Sequence, residues 1–159
     1  MYISYEEYKT LYDDIEEKLF NRLAYDACRE IDRLTAGADG VKKLRAYFPS
    51  DADAVDAVKR CAAHVTNFLA QIHEAEKSAS MGRGLTQTAN GLQGKIISSV
   101  SAGNESISYS TGAGKTAVDV AVADPETKEN MIRNVVRKYL SGVADANGVN
   151  LLYLGRYPM

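Results

Sequence analysis

The chain has 159 residues and a mass of 17.3 kDa, which suits one hydrophobic core and is too short for two full-sized ones. Its 19 Lys and Arg residues against 21 Asp and Glu residues give a net charge of −2. This balance argues against a protein held on DNA mainly by phosphate neutralisation, which needs basic clusters. The longest basic cluster, Lys42, Lys43 and Arg45, is typical of a solvated face.

The composition also bears on compartment and assembly. Two cysteines, Cys28 and Cys61, are too few for a disulfide framework. No apolar run has the length of a membrane span, and the N-terminus lacks the features of a signal peptide. We therefore expect synthesis in the cytoplasm, free thiols and no membrane partner. The 10 Tyr residues, against 3 Phe and no Trp, indicate assembly mildly, because Tyr suits surfaces that become buried in a partner.

The first half of the chain predicts helices. Ser4 followed by Glu7 is a capping box, which predicts a short helix over 5–12. A second helix, capped by Asp13 or Asp14, carries an apolar stripe as far as Leu34. A short helical piece over 41–48 precedes a long helix that starts near Ser50, whose apolar seam predicts packing on a neighbouring helix. The residues expected to be buried where the long helices meet are Leu23, Ile31, Val58, Val65, Leu69 and Val135.

A Gly/Ser-rich stretch follows over residues 78–123, which hold 7 of the 12 glycines and five charged residues. Within it, residues 95–101 and 105–110 flank Ala102-Gly103-Asn104 and predict a β-hairpin. A lone two-stranded hairpin is marginal in water, so this one needs a partner surface, either its own helices or another chain. The alternating valines of residues 118–122 predict a third short strand.

The chain ends with a helix and an apolar tail. Asp124-Pro125-Glu126 predicts the helix start and Gly142 its end. Residues 151–159 are strongly apolar for a terminus, so we expect the tail to pack on something. The predicted fold is mainly α, a bundle of about four helices with an extended β-hairpin arm. We expect one domain overall: 1–77 is the N-terminal bundle, 78–123 the arm, and 124–159 the helix that completes the bundle plus the tail.

No motif assembles an active site. Gly112-Ala113-Gly114-Lys115-Thr116 matches the end of a phosphate-binding loop, but Tyr109 stands where its first glycine should be, so we predict a flexible loop. His64 and His73 are nine residues apart, on different faces of a helix, and predict no shared metal. Cys28 lies near an apolar stripe, which favours a buried structural cysteine over a nucleophile. We predict no enzyme, no cofactor and no metal.

The order of features is more telling than any single motif. A Tyr-rich capped entry over 3–8 leads to a helix that ends over 27–35. A second long helix, the Ser-rich hairpin, a late helix over 135–140 and the closing segment 151–157 follow. Together these features resemble the head–tail connector, or head-completion adaptor, proteins of tailed bacteriophages and prophages. The resemblance spans nearly the whole chain, which departs from the family in a longer Gly/Ser insert around residues 81–94 and 110–117.

The resemblance implies a structural virion protein without catalytic residues. Such proteins form a ring of about a dozen copies below the portal, extend the DNA channel and join neck or tail proteins. The implied partners are further copies of the chain, the portal protein, a downstream neck or tail-completion protein, and DNA that slides through without sequence-specific binding. The chain would be made in the host bacterial cytoplasm and end in the virion neck.

An extended hairpin and an apolar tail suit the contacts of such a ring, because a head-to-tail ring needs two different surfaces on each subunit. The candidate subunit or portal contacts are Ile97, Ile107, Tyr109, Leu151, Leu152, Tyr153 and Tyr157. Two alternatives remain: a small helical protein-interaction or regulatory module of a bacterium, and a nucleotide-binding protein that uses the loop from Gly112 to Thr116.

Overall fold

The computed structural model is mainly helical, which confirms the predicted class. It describes residues 1–12, 15–80, 85–88, 91–94, 96–101, 106–110 and 117–158; for residues 78–80, 119 and those between 85 and 110 the description covers the backbone alone. The helices are α1 (Tyr5–Lys9), α2 (Glu17–Leu34), α3 (Lys43–Ala46), α4 (Ala52–Ser80), α5 (Ala117–Ala123) and α6 (Pro125–Leu140). The strands are β1 (Leu85–Thr88), β2 (Gly91–Gly94), β3 (Ile96–Ser101) and β4 (Ser106–Ser110).

The chain divides into two compact units. The first combines Met1–Ala70 with Asn130–Met159, and the second is Gln71–Glu129. These divisions fall several residues away from the sequence boundaries of 77/78 and 123/124. In the first unit, segments from the two ends of the chain therefore share one core.

Local sequence signals fix the helix starts. The Ser4 hydroxyl accepts the Glu7 N–H at 3.2 Å, and the Glu7 carboxylate accepts the Ser4 N–H at 2.9 Å, which confirms the capping box. At α6 the Asp124 carboxylate accepts the N–H groups of Glu126 and Thr127, both at 3.1 Å. Helix α2 begins at Glu17 without a side-chain cap. The predicted caps of α2, residues 13 and 14, lie outside the described residues.

The core of the first unit surrounds the middle of α4. Between Cys61 and Ala70 every residue except His64 and Asn67 is buried. A helix stretch buried on nearly all sides must be packed by several neighbours. Aromatic rings contribute to this core, since the ring of Tyr8 lies 5.2 Å from that of Phe20, centroid to centroid.

Five of the six predicted core positions are confirmed as buried, and the sixth is wrong. The confirmed residues are Leu23, Ile31, Val58, Val65 and Leu69. Val135 is partly exposed, and its neighbour Val136 is buried instead. Ile132, Val136 and Leu140 recur every four residues and share the buried face of α6. Val135 lies about 100° around the helix from Val136, so it faces partly away from the core.

The second unit contains two antiparallel strand pairs and a short helix. Strand β1 pairs with β2, and β3 pairs with β4, with Ile97 opposite Tyr109 and Val100 opposite Ile107. Helix α5 contacts β2. The predicted strand over 118–122 is wrong, because those residues lie within α5. An alternation of valines within seven residues is too short a pattern to exclude a helix. The three alanines in Ala117–Ala123 favour a helix.

Candidate interaction surface

The C-terminal segment (residues 143–158) folds back as an ordered loop. Gly142 ends α6 with a φ of 80°, a left-handed conformation that glycine adopts readily. The Leu151 N–H then donates to the Val143 carbonyl at 2.9 Å, and the Asp145 N–H to the Val149 carbonyl at 2.9 Å. These bonds close the segment on itself, so its backbone shape is largely fixed before any partner binds.

A buried lysine holds this segment from the side of α3. Lys43 has no exposed surface. Its ammonium donates to the carbonyls of Asn150 at 3.1 Å and Leu151 at 2.8 Å, and also to the carbonyl of Tyr153. Burial lowers the pKa of Lys43, while the nearby carboxylates of Asp145 and Asp39 oppose that shift. The three carbonyls match the three donors of the ammonium, so this one side chain provides a hydrogen-bond donor for each of them.

Two carboxylates hold the same segment near its end. Asp39 accepts the Tyr157 N–H at 2.8 Å, which lowers the pKa of that carboxyl group. Asp145 accepts the Tyr157 hydroxyl at 2.7 Å and the N–H groups of Asn147 and Val149, both at 2.9 Å. Burial and the Asp145 bond raise the pKa of the Tyr157 hydroxyl. Tyr157 is thereby held by its backbone and its side chain at once.

An aromatic stack completes the attachment. The ring of Tyr157 lies 4.6 Å from that of Tyr47, with an angle of 12° between the planes. The Tyr47 carbonyl accepts the Ala146 N–H at 3.2 Å. We call Asp39, Lys43, Tyr47 and Asp145 the tail clamp. Three of its four residues come from around α3, more than 90 residues before the segment that they hold.

The tail clamp holds two large apolar side chains out toward solvent. Tyr153 is 51% exposed and Leu154 is 68% exposed. The Tyr153 ring folds over Gly155, where a Cβ would collide with it, and its centroid lies 5.9 Å from the Lys43 ammonium. Adjacent exposed apolar side chains on a fixed loop form a surface that a partner can bury with little ordering cost.

The predicted contact residues of the tail differ in their exposure. Leu151 is fully buried and Tyr157 is 8% exposed, so both pack inside the chain's own first unit. Leu152 is half-buried and Tyr153 exposed. The expectation that the tail packs on something is confirmed, because it packs on the chain itself. As partner contacts, the tail residues stay predictions, and Tyr153 and Leu152 retain surface for that role.

The predicted hairpin contacts fall in described strands. Ile97 lies in β3, and Ile107 and Tyr109 lie in β4. The backbone register pairs Ile97 with Tyr109, and a register shift follows between Ile97 and Ser99. The surroundings of these three side chains lie outside what the structure describes. The role of the strands as a subunit-contacting arm stays a prediction.

A buried carboxylate ties the N-terminus to α2 and α3. Asp32 is 1% exposed; it accepts the Arg45 Nε at 2.5 Å and also accepts the Tyr2 hydroxyl. The Tyr2 N–H lies 3.4 Å from the Cys28 sulfur. Burial, followed by the bond to Asp32, raises the pKa of Tyr2. The arrangement is a satisfied structural ion pair, which neutralises a charge that would otherwise be costly to bury.

The interpretation of Lys42, Lys43 and Arg45 as a solvated face is therefore wrong for Lys43, whereas Lys42 and Arg45 are exposed. Lys43 is buried under the C-terminal segment, and Arg45 pairs with Asp32. One sequence signal could have indicated the ion pair: Asp32 lies four residues after Cys28, on the apolar stripe of α2. The sequence carries no corresponding signal for Lys43, because its partners are backbone carbonyls.

The two cysteines are buried within the first unit. Cys28 and Cys61 are both buried free thiols, which confirms the structural interpretation of Cys28. Burial raises the pKa of both thiols, that of Cys61 to about 12, so neither is an activated nucleophile. Among the described residues, no three potential metal ligands of the His, Cys, Asp or Glu type come together. The loop from Gly112 to Thr116 lies outside the described residues.

Comparison of the sequence with protein-family models found no match, and comparison with curated proteins and with solved structures found none either. The family resemblance therefore rests on the order of features in the sequence. In the part of the chain that the structure describes, no helix combines the length and the apolar character needed to cross a membrane.

Proposed function

We propose that the chain is a structural virion protein that forms a ring at the head–tail interface below the portal. In this role it extends the DNA channel and joins neck or tail proteins, without catalysing a reaction. Its partners would be further copies of itself, the portal protein and a neck or tail-completion protein. The proposal rests on the order of sequence features, to which the folded chain adds one specific observation.

The observation that carries the proposal is the pair Tyr153 and Leu154 on the clamped C-terminal segment. An apolar pair at a mobile terminus would have to be ordered on binding, at a cost to affinity. Here the buried ammonium of Lys43 and the stacking of Tyr47 on Tyr157 hold the segment in place before any partner binds. A preformed apolar contact suits a subunit that must join identical neighbours in a fixed geometry.

The β3–β4 pair supplies a second candidate surface. It belongs to the other compact unit and is short, with six residues in Ile96–Ser101 and five in Ser106–Ser110. A strand pair of this length is marginal alone in water and gains most from a partner. A head-to-tail ring needs two different patches on each subunit. We assign one to Tyr153 and Leu154 and the other to β3 and β4.

The experiment combines the purified chain with the portal protein encoded in the same genome. We expect the free chain to be largely monomeric at modest concentration, by sedimentation velocity, and to add to the portal as a ring in electron micrographs. The double variant Tyr153→Ser with Leu154→Ser should lose ring formation while keeping the helical circular dichroism and the melting temperature. The matched control is Tyr25→Ser, because Tyr25 is also exposed, at 56%, but lies on α2.

Two outcomes would contradict the proposal. One is a genome with no portal or capsid genes near this gene, together with a chain that stays monomeric with every candidate neck protein. The other is normal ring formation by both the double variant and a second variant, Ile107→Ser with Tyr109→Ser. If only the second variant fails to form rings, the strand pair makes the contact and the tail assignment is wrong.

A further inference from the structure

The outward side of α2 carries a row of cations, all of them exposed: Lys18, Arg22, Arg29 and Arg33. Because successive residues of an α-helix are rotated by about 100°, these four fall within an arc of about 60°. The buried side chains of Leu23, Ala27 and Ile31 face the opposite way, into the core of the first unit. From its first to its last member the row is about 22 Å long. We call these four residues the basic ridge.

The basic ridge is not a cluster in the sequence. Steps of four, seven and four residues separate its members, and only the helical period brings them onto one face. On that face, the position between Arg22 and Arg29 belongs to Tyr25, which is exposed and uncharged. A count of consecutive basic residues therefore overlooks this face of the molecule.

The exposed acidic side chains of α2 lie beside the basic ridge rather than on it. By helical rotation, Asp26 and Glu30 fall on one flank and Glu17 on the other. Glu30 pairs with Arg33, with 2.9 Å between the carboxylate and the guanidinium. One member of the basic ridge is thus partly neutralised within α2.

The other members are less compensated. Asp32 lies next to the row, but it is buried and already paired with Arg45 of α3. Within residues 1–12, 15–80 and 117–158, Lys18 and Arg29 have no ion-pair partner. Their charges face solvent and are available to an anionic ligand.

An exposed row of cations fits a ligand that carries many negative charges in a row. Duplex DNA is such a ligand, with one negative charge per about 1.7 Å of its axis. Three of the four cations are arginine, whose planar fork can bond two phosphate oxygens at once. Phosphate contacts of this kind position a protein on DNA but carry no sequence information.

Two other partners fit the basic ridge less well. A helix that lies on a membrane buries its apolar face among the lipids, and the apolar face of α2 is already buried in the core. A protein partner is held mainly by apolar and aromatic anchors at the centre of the interface. The outward face of α2 offers four charges and one aromatic ring.

We propose that the basic ridge binds the phosphate backbone of double-stranded DNA without reading its sequence. This inference rests on the proposed function only for the place of contact, where each subunit of the ring would turn its basic ridge toward the DNA in the channel. Four phosphate contacts bind weakly at physiological salt, so the DNA can slide. Weak binding also agrees with the net charge of −2.

The test measures binding of the purified chain to a DNA duplex of about 20 base pairs, by fluorescence anisotropy at several salt concentrations. We expect weak binding at low salt, equal for two duplexes of unrelated sequence. The logarithm of the binding constant should fall with the logarithm of the salt concentration, with a slope between about −2.5 and −4.

Single substitutions then assign the contacts. Arg29→Gln and Lys18→Gln should each reduce the size of that slope by about 1, because each removes one phosphate contact. Both positions are exposed, so the circular dichroism should stay unchanged. The matched control is Arg137→Gln, which removes an exposed cation from α6 and should leave the slope unchanged.

Three outcomes would overturn the inference. The first is no binding at low salt, and the second is an equal loss of slope in Arg29→Gln and Arg137→Gln. The third is a loss of ring formation on the portal in Arg29→Gln and Lys18→Gln, because the basic ridge would then contact protein. A wild-type chain that binds DNA with the expected slopes but forms no ring would support the basic ridge and contradict the proposed function alone.

Discussion

The middle of α4 and the C-terminal segment belong to the same compact unit but are held in different ways. Around α4, apolar side chains are buried on nearly every side. The C-terminal segment instead depends on the tail clamp. There an ammonium and a carboxylate bond to backbone groups, a second carboxylate accepts the Tyr157 hydroxyl, and the ring of Tyr47 stacks on that of Tyr157. Apolar burial is non-directional and tolerates adjustment, whereas each polar contact needs one partner in one place.

The two regions should therefore respond differently to substitution. Loss of a core side chain weakens the whole unit, because packing around α4 is shared. Loss of a clamp residue leaves specific backbone groups without partners and should free the C-terminal segment first. The substitutions below test this contrast.

The largest expected effect is in the apolar core. Phe20 is fully buried and packs against the rings of Tyr5 and Tyr8. Phe20→Ala should reduce the free energy of unfolding by about 3–5 kcal/mol, measured by urea denaturation with circular dichroism. The matched control is Tyr25→Ala on the exposed face of α2, with an expected change below about 0.5 kcal/mol. Equal losses in the two variants would mean that this ring cluster is not part of the core.

Removal of the clamp ammonium comes second. Lys43→Met should cost about 1–3 kcal/mol, because the carbonyls of Asn150, Leu151 and Tyr153 lose their shared donor. Amide protection of Leu151, measured by hydrogen exchange, should fall more than that of Val65 in α4. The neighbouring control Lys42→Met, at an exposed position, should change neither. A uniform loss of protection would show that the segment and the core open together.

The Tyr157 hydroxyl is the third target. Tyr157→Phe keeps the stack on Tyr47 but removes the bond to Asp145, at a cost of about 1 kcal/mol. The control Tyr153→Phe removes a hydroxyl from an exposed ring and should change stability by less than about 0.5 kcal/mol. Thermal melts of the two variants, recorded together, compare them directly. A melting temperature of Tyr157→Phe equal to that of the wild type would show that the hydroxyl does not stabilise the clamped segment.

The smallest effect belongs to the exposed carboxylate of Asp39. Its lowered pKa means that its bond to the Tyr157 N–H stabilises the folded segment at and above the usual carboxyl range. That contribution is lost as the pH falls through the lowered folded value. Hydrogen exchange at Tyr157 between about pH 2 and 5 should show this acid loss in the wild type. The loss of protection at low pH should be absent in Asp39→Asn and present in the control Asp26→Asn. If protection at Tyr157 still falls at low pH in Asp39→Asn, another group is responsible for the titration.

Sequence patterns predicted the helices and most of the core, because spacing along one helix decides which side chains share its face. The stripe of α2 and the seam of α4 identified Leu23, Ile31, Val58, Val65 and Leu69 correctly. The α6 stripe contained two adjacent valines, and the pattern could not choose between Val135 and Val136. Docking of the helix against its neighbours made that choice.

By itself, the sequence determined the helical class, the capping box at Ser4, the start of α6 at Pro125 and most of the buried positions. These depend on groups close together in the chain, so local chemistry specifies them. Only the tertiary structure decided that Lys43 is buried, that Leu151 and Tyr157 face inward, and that His64 lies between Tyr12 and Tyr139. The long-range contacts that set them join residues from 52 to 118 positions apart. No local period encodes such pairs, because they form only when separate elements fold against each other.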